Sequence, residues 1–129
     1  MNQSADLQRS LFAIQEYGQL IGFEQLLDEG SQVAAFELES GATISFEALE
    51  NGVIISRMQQ FSPYNIFDTM IKALSMSHYR RGVNYIMQPG MLGDDRLVIT
   101  IFLSQQQLVP HQFDGAVKRL DTVFNQIGN

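Results

Sequence analysis

Cysteine and tryptophan are both absent from the 129 residues. Without a thiol the chain can build neither a disulfide framework nor a thiolate metal site, which fits a reducing, cytoplasmic setting. Histidine occurs twice, at His78 and His111, so imidazole chemistry has few places to sit. Long apolar runs are missing too. None approaches the roughly 20 residues of a membrane-spanning helix, and membrane insertion is not expected. The first residues mix Asp6 and Arg9 with polar side chains, so a secretory signal is not expected either. Cations are scarce in the first part of the chain. Residues 1–50 carry nine acids against Arg9 alone, residues 51–129 carry five acids and seven bases, and the net charge is −6. No Lys/Arg stripe is available to displace counterions from phosphates, so nucleic acid is not an expected partner.

What is present reads as one domain over residues 1–129. A chain of this length buries roughly two-thirds of the surface its unfolded form exposes, enough for one core. Leu7, Leu11, Ile14, Gly18 and Ile21 recur at helical spacing, with Gly22 as a stop. Phe12, Tyr17 and Leu20 lie off that stripe, so the helix is apolar on more than one side. Phe36 and Leu38 then alternate with glutamates, and Ile44, Phe46 and Ala48 alternate with Thr43, Ser45 and Glu47. A third strand covers about residues 53–59. Ser40-Gly41 and Asn51-Gly52 separate the three, and Asn-Gly between strands predicts a hairpin with positive φ at both turn positions. Ser62-Pro63 reads as an N-cap and first helical position, ahead of Ile66, Phe67, Met70, Ile71, Ala73 and Leu74. Residues 85–88 read as a strand stopped by Pro89-Gly90.

Residues 96–103 form the clearest strand, with Leu97, Ile99, Ile101 and Leu103 on one face and Val98, Thr100 and Phe102 on the other. A strand apolar on both faces should be covered on both. A last helix from Pro110 carries Phe113, Ala116, Val117, Leu120, Val123, Phe124 and Ile127 at helical spacing. The order α-β-β-β-α-β-β-α predicts an α+β domain, helices packed on a twisted, mostly antiparallel sheet.

Catalytic patterns are thin. His111 and Asp114 stand three apart with Ser104 not far before them, but no Gly-x-Ser-x-Gly elbow accompanies them. Asp94-Asp95 lacks the offsets of a calcium loop, and Gly90-Met91-Leu92-Gly93 lacks the Gly-Lys-Ser/Thr ending of a phosphate loop. Glu37, Glu39 and Glu47 alternate with apolar residues as a wetted sheet face does. The chain is therefore expected to have no catalytic residues, no metal site and no cofactor, and not to be an enzyme. Six methionines and nine phenylalanines remain. They serve either as core or as an adaptable surface for extended partner segments. Periodicity alone does not separate the two.

In element order the chain resembles the class I type III secretion chaperones, small acidic bacterial proteins that dimerise. Tyr17-Gly18-Gln19-Leu20-Ile21-Gly22 is similar to the helix-ending Leu-Gly-Ile pattern of that family. Phe67-Asp68-Thr69-Met70-Ile71-Lys72-Ala73-Leu74 looks like the second helix of its SycN branch, and Gly90-Met91-Leu92-Gly93-Asp94-Asp95-Arg96-Leu97-Val98 like the turn into that branch's last strand. Met91 stands where the branch usually has tryptophan. The specific likeness covers residues 63–127 and the general one nearly the whole chain.

The resemblance implies a virulence-associated cytoplasmic chaperone that works without ATP. It would hold the N-terminal segment of a secreted gatekeeper of the YopN type, as a heterodimer with a YscB-type sister chaperone, with docking to the secretion apparatus at the inner membrane. A homodimer serving another effector or translocon protein stays open, as do a scaffold domain outside secretion and a small enzyme. On this reading the client would lie against Leu7, Leu11, Phe12, Phe23, Phe36, Leu38, Ile44 and Phe46. The sister subunit would lie against Ile66, Phe67, Met70, Leu74, Val98, Thr100 and Phe102.

Overall fold

Ser4 starts the first helix, α1 (Ala5–Leu20): its Oγ accepts the Leu7 N–H at 3.0 Å, filling one of the donors a helix start leaves open. The helix ends where expected. Gly22 takes φ 108°, the Gly22 N–H bonds the Gln19 carbonyl, and the Phe23 N–H bonds the Gly18 carbonyl. That is a Schellman stop, and it needs a glycine because the backbone turns left-handed there. The computed structural model describes residues 4–78 and 85–127, and the side chains of residues 77 and 78 are outside that description.

The meander follows as β1 (Val33–Glu37), β2 (Thr43–Leu49) and β3 (Gly52–Gln60), paired antiparallel in succession. After α2 (Ile66–His78) come β4 (Met87–Leu92) and β5 (Arg96–Ser104). One 3-10 turn over 105–107 leads to α3 (Pro110–Ile127). The five strands lie in the order β1-β2-β3-β5-β4, with every neighbouring pair antiparallel. This is the α+β architecture and the element order expected from the sequence.

One face of the sheet carries the core. Ile44, Phe46, Val53, Ile55, Leu97, Ile99, Ile101 and Leu103 are buried there, against Ala13, Ile14 and Tyr17 of α1 and Phe113, Leu120 and Phe124 of α3. α2 lies on the same side, toward β4 and α3, with Ala73 joining the core. Arg57 also points inward. Its guanidinium meets Asp121 at 3.1 Å and sits 5.2 Å from the Phe124 ring centre, so a buried charge has both a partner and an aromatic face.

Three local expectations change. β4 runs through Pro89 and Gly90 rather than stopping at them; as an edge strand it loses little from an absent N–H. α2 begins at Ile66, not at Pro63. The Ser62 Oγ instead accepts the Tyr64 N–H at 3.3 Å, and residues 62–65 form a separate turn. At Asn51-Gly52 only the glycine has positive φ, and a Cβ there would collide with the Leu103 carbonyl oxygen.

Candidate functional site

With one face of the sheet filled, the exposed apolar side chains gather in three places. The first is built on α1 and the segment that follows it. Gln15 sutures that segment down: its Nε2 donates to the Glu24 carbonyl at 3.0 Å, and its Oε1 accepts the Leu27 N–H at 3.1 Å. Gly18 allows the closest approach, since a Cβ at that position would stand 2.6 Å from the Leu26 Cβ. Leu26 and Leu27 are buried as a result. Between helix and segment lies a groove of about 510 Å3, lined by Leu11, Phe12, Gln15, Leu27, Glu24, Gln25 and residues 28–31. Phe12 stands at its lip, 67% exposed.

β1 adjoins this region as one edge of the sheet. The bonds from Leu38 N–H to the Ala42 carbonyl and from Ala48 N–H to the Gln32 carbonyl fix the ladder's phase. By the alternation of antiparallel pairing, Val33, Ala35 and Glu37 turn their N–H and C=O groups away from β2. The Ser31 hydroxyl takes up both groups of Val33, donating to its carbonyl at 2.8 Å and accepting its N–H at 3.2 Å, so the open groups are those of Ala35 and Glu37. Phe23 packs on Phe36 with ring centres 5.0 Å apart and ring planes tilted by 40°, joining the groove's segment to the inner face of this edge strand.

The second place is the outer stripe of α2, where Phe67 (73% exposed), Ile71 and Leu74 recur at helical spacing beyond an exposed Tyr64. Met91 and Leu92, at the end of β4, are exposed as well. The third is the sheet's outer face. Ile54, Ile86, Thr100 and Phe102, with Tyr85, Gln88 and Gln107, enclose a bowl of about 540 Å3 there. β5 is thus covered on one side and open on the other within the single chain.

The residues expected to meet a client do not all reach a surface. Phe12 and Phe23 are exposed, and Leu7, Leu11, Phe36 and Leu38 are half-buried. Ile44 and Phe46 are fully buried, because their side of β2 is the side the helices cover. Those expected to meet a sister subunit divide too. Phe67 and Leu74 are exposed, Met70 is half-buried, and Ile66 is buried under α2. Val98, Thr100 and Phe102 lie on the outer face of the sheet, opposite α2, so they and the α2 stripe form two patches rather than one. Ile71 and Tyr64 belong to the α2 patch and Ile86 to the outer bowl, though the sequence reading left them out. Helical spacing from Phe67 and Leu74 would have pointed to Ile71.

The polar groups near α3 are committed to structure. Asp114 accepts from the Tyr17 hydroxyl at 3.3 Å and pairs with Lys118 at 2.8 Å. Burial, and then the Asp114 charge and hydrogen bond, push the Tyr17 phenol up to about 12. Tyr85 is raised in the same way, by burial first and by Asp114 second. The Lys118 ammonium is held above its usual range by its bond to Asp114. Ser104 bonds Gln106 and Gln107, and His111 is exposed at the start of α3. Asp95 accepts from the Gln60 side chain at 2.7 Å. Among the described residues no group of three acidic or imidazole side chains could hold a metal, and no helix is long and apolar enough to cross a membrane.

Comparison with known proteins adds to this geometry. The family model described as "Type III secretory system chaperone SycN" matches residues 12–127. No curated protein sequence matches the chain. Among solved structures, the Yersinia pestis type III secretion chaperone SycH, in complex with a stable fragment of YscM2, superposes with a TM-score of 0.66 at 11% identity. That match covers 91% of this chain and 98% of the other. YbjN of E. coli, described as a putative transcription regulator, superposes at 0.62 with 15% identity, over 91% of this chain and 87% of the other. At these identities the two structures show a shared fold.

Proposed function

Because the chain belongs to the type III secretory system chaperone SycN family, we propose that it is a cytoplasmic chaperone for the N-terminal segment of a secreted gatekeeper of the YopN type. It acts as a heterodimer with a second chaperone and keeps that segment non-globular and ready for the secretion apparatus. The work is done by binding, not by catalysis.

The observation that carries the reading is the pairing of an open strand edge with an apolar groove beside it. β1 offers outward backbone groups at Ala35 and Glu37, and the α1 groove offers Leu11, Phe12 and Leu27 next to it. An extended segment gains main-chain hydrogen bonds from such an edge and selectivity from pockets that take alternate side chains. Ordering a disordered segment costs conformational entropy, so a wide wrapped surface is needed to offset it. The far edge serves this less well, since Pro89 removes one N–H from β4 and α2 packs against that strand. The exposed stripe of α2 supports the second half of the reading, a subunit contact through Phe67, Ile71 and Leu74.

Co-expression tests it. The chain is produced with its candidate sister chaperone and with the N-terminal segment of the candidate gatekeeper, and the complex is sized by sedimentation. A ternary complex with one copy of each chaperone is the expected result. A stable homodimer that ignores both would refute the heterodimer and gatekeeper assignments and leave a homodimeric chaperone for another client.

A further inference from the structure

The groove beside α1 is apolar at its base and carboxylate at its rim. Leu11 and Leu27 supply the base and Phe12 an apolar lip, while Glu24, Asp28 and Glu29 supply three exposed carboxylates. None of the three is paired with a cation among the described residues. Among the described residues no Lys, Arg or His lines the groove. The one base in residues 1–50, Arg9, is engaged elsewhere: its Nη1 meets Asp6 at 3.2 Å and the Gln105 side chain at 3.4 Å. The backbone that carries the carboxylates is held against the helix by Gln15 and the Gly18–Leu26 contact.

A low-dielectric apolar floor beneath unpaired like charges concentrates negative potential over the opening. An acidic segment entering there would meet repulsion at each of the three positions. A neutral apolar segment would fill the floor and leave the rim solvated. Only a segment with an apolar side chain for the floor and a base within a few residues of it satisfies both parts.

We infer that this groove selects a basic-apolar peptide, in which an aliphatic or aromatic anchor seats beside Phe12 and a flanking Lys or Arg meets Glu24, Asp28 or Glu29. The inference rests on the client-binding reading above and names the chemistry of the segment that reading requires. It gives the rim a discriminating role. Many extended apolar segments could add to the β1 edge, and the rim would admit those with a cation in register. Contact between exposed charges is screened by salt, so this selectivity is greatest at low ionic strength.

A display library of random short peptides, panned on the full chain, tests this whatever the client proves to be. Two variants accompany it. Glu24→Gln, Asp28→Asn and Glu29→Gln together remove the charge and keep the shape; Phe12→Ser removes the apolar lip. Circular dichroism confirms that both fold. The expected result is a selected pool at least about twofold enriched in Lys and Arg near an apolar residue. Its members should bind the charge-neutral variant about tenfold more weakly at low salt, the gap closing at high salt. Peptides without excess base that still lose binding in Phe12→Ser would overturn the charge inference and leave the groove as a client site. Peptides that bind Phe12→Ser as well as the parent chain, or a library that yields no binders, would overturn both.

Discussion

Asp114 is the residue through which α1 and α3 hold each other by a polar contact. The Tyr17 ring stacks on Phe113 at 5.3 Å and meets Phe46 edge-on at 5.9 Å, while its hydroxyl reaches Asp114. A phenol raised from 10.0 to about 12 keeps its proton in the folded chain after the unfolded chain has lost it. Stability from this site is therefore whole below about pH 10 and declines as pH climbs toward 12. Tyr17→Phe should flatten that decline, read as a smaller drop in the urea midpoint between about pH 9 and about pH 11. Gly18→Ala should cost about 1–3 kcal/mol through overpacking against Leu26 and speed proteolytic cutting between residues 23 and 31. Phe46→Ala should cost about 3–5 kcal/mol in thermal or urea unfolding, whereas Phe12→Ala should leave stability nearly unchanged. That contrast also marks what single residues disclose on their own. Alternation shows that Ile44 and Phe46 share a face. Which face the helices cover is a tertiary choice, so both were expected outside and are found inside.

Elements show the same division between what is local and what is not. α1 was legible because its periodicity and its Gly22 stop agree, and α3 because its apolar spacing runs from Phe113 to Ile127 without a break. β4 was misjudged because Pro89 reads as a terminator until its strand is known to lie on an edge. The α2 stripe was legible as apolar, yet its outward face became apparent only once Ile66 and Ala73 were seen to turn inward. Phe67→Asp combined with Ile71→Asp should leave helicity intact and abolish assembly with any sister chain, measured by circular dichroism alongside sedimentation. At the opposite edge, Ala35→Pro removes an outward N–H from β1 without touching the ladder to β2. It should weaken client binding at least about tenfold, if main-chain bonds supply the affinity of strand addition, and leave the fold standing. A matching loss of both binding and far-ultraviolet signal would show that β1 cannot tolerate the change.

For the molecule as a whole, the element sequence foretold the layer architecture, but the strand order β1-β2-β3-β5-β4 came only from the structure. Nothing in residues 96–104 states that β5 will pair with β3 rather than with β4 alone; the choice follows from burying Leu97, Ile99, Ile101 and Leu103 of β5 between two strands and beneath α2 and α3. This order predicts a gradient of local stability. Amide exchange should be slowest in β2, β3 and β5, which have neighbours on both sides, and faster in β1, where Ala35 and Glu37 turn their N–H groups to the open edge. Client binding should slow exchange at Ala35 and Glu37 first. The open β1 edge has one more consequence. A strand edge able to receive a partner's strand can also receive its own copy, which is how fibrils begin. Here that encounter would press together two chain regions that each hold nine acids and one base. Colloidal repulsion of that kind would keep the protein dispersed while it waits for a client. Added salt, which shortens the reach of charge to about 10 Å at 0.1 M, should bring out β-rich aggregates that thioflavin fluorescence detects.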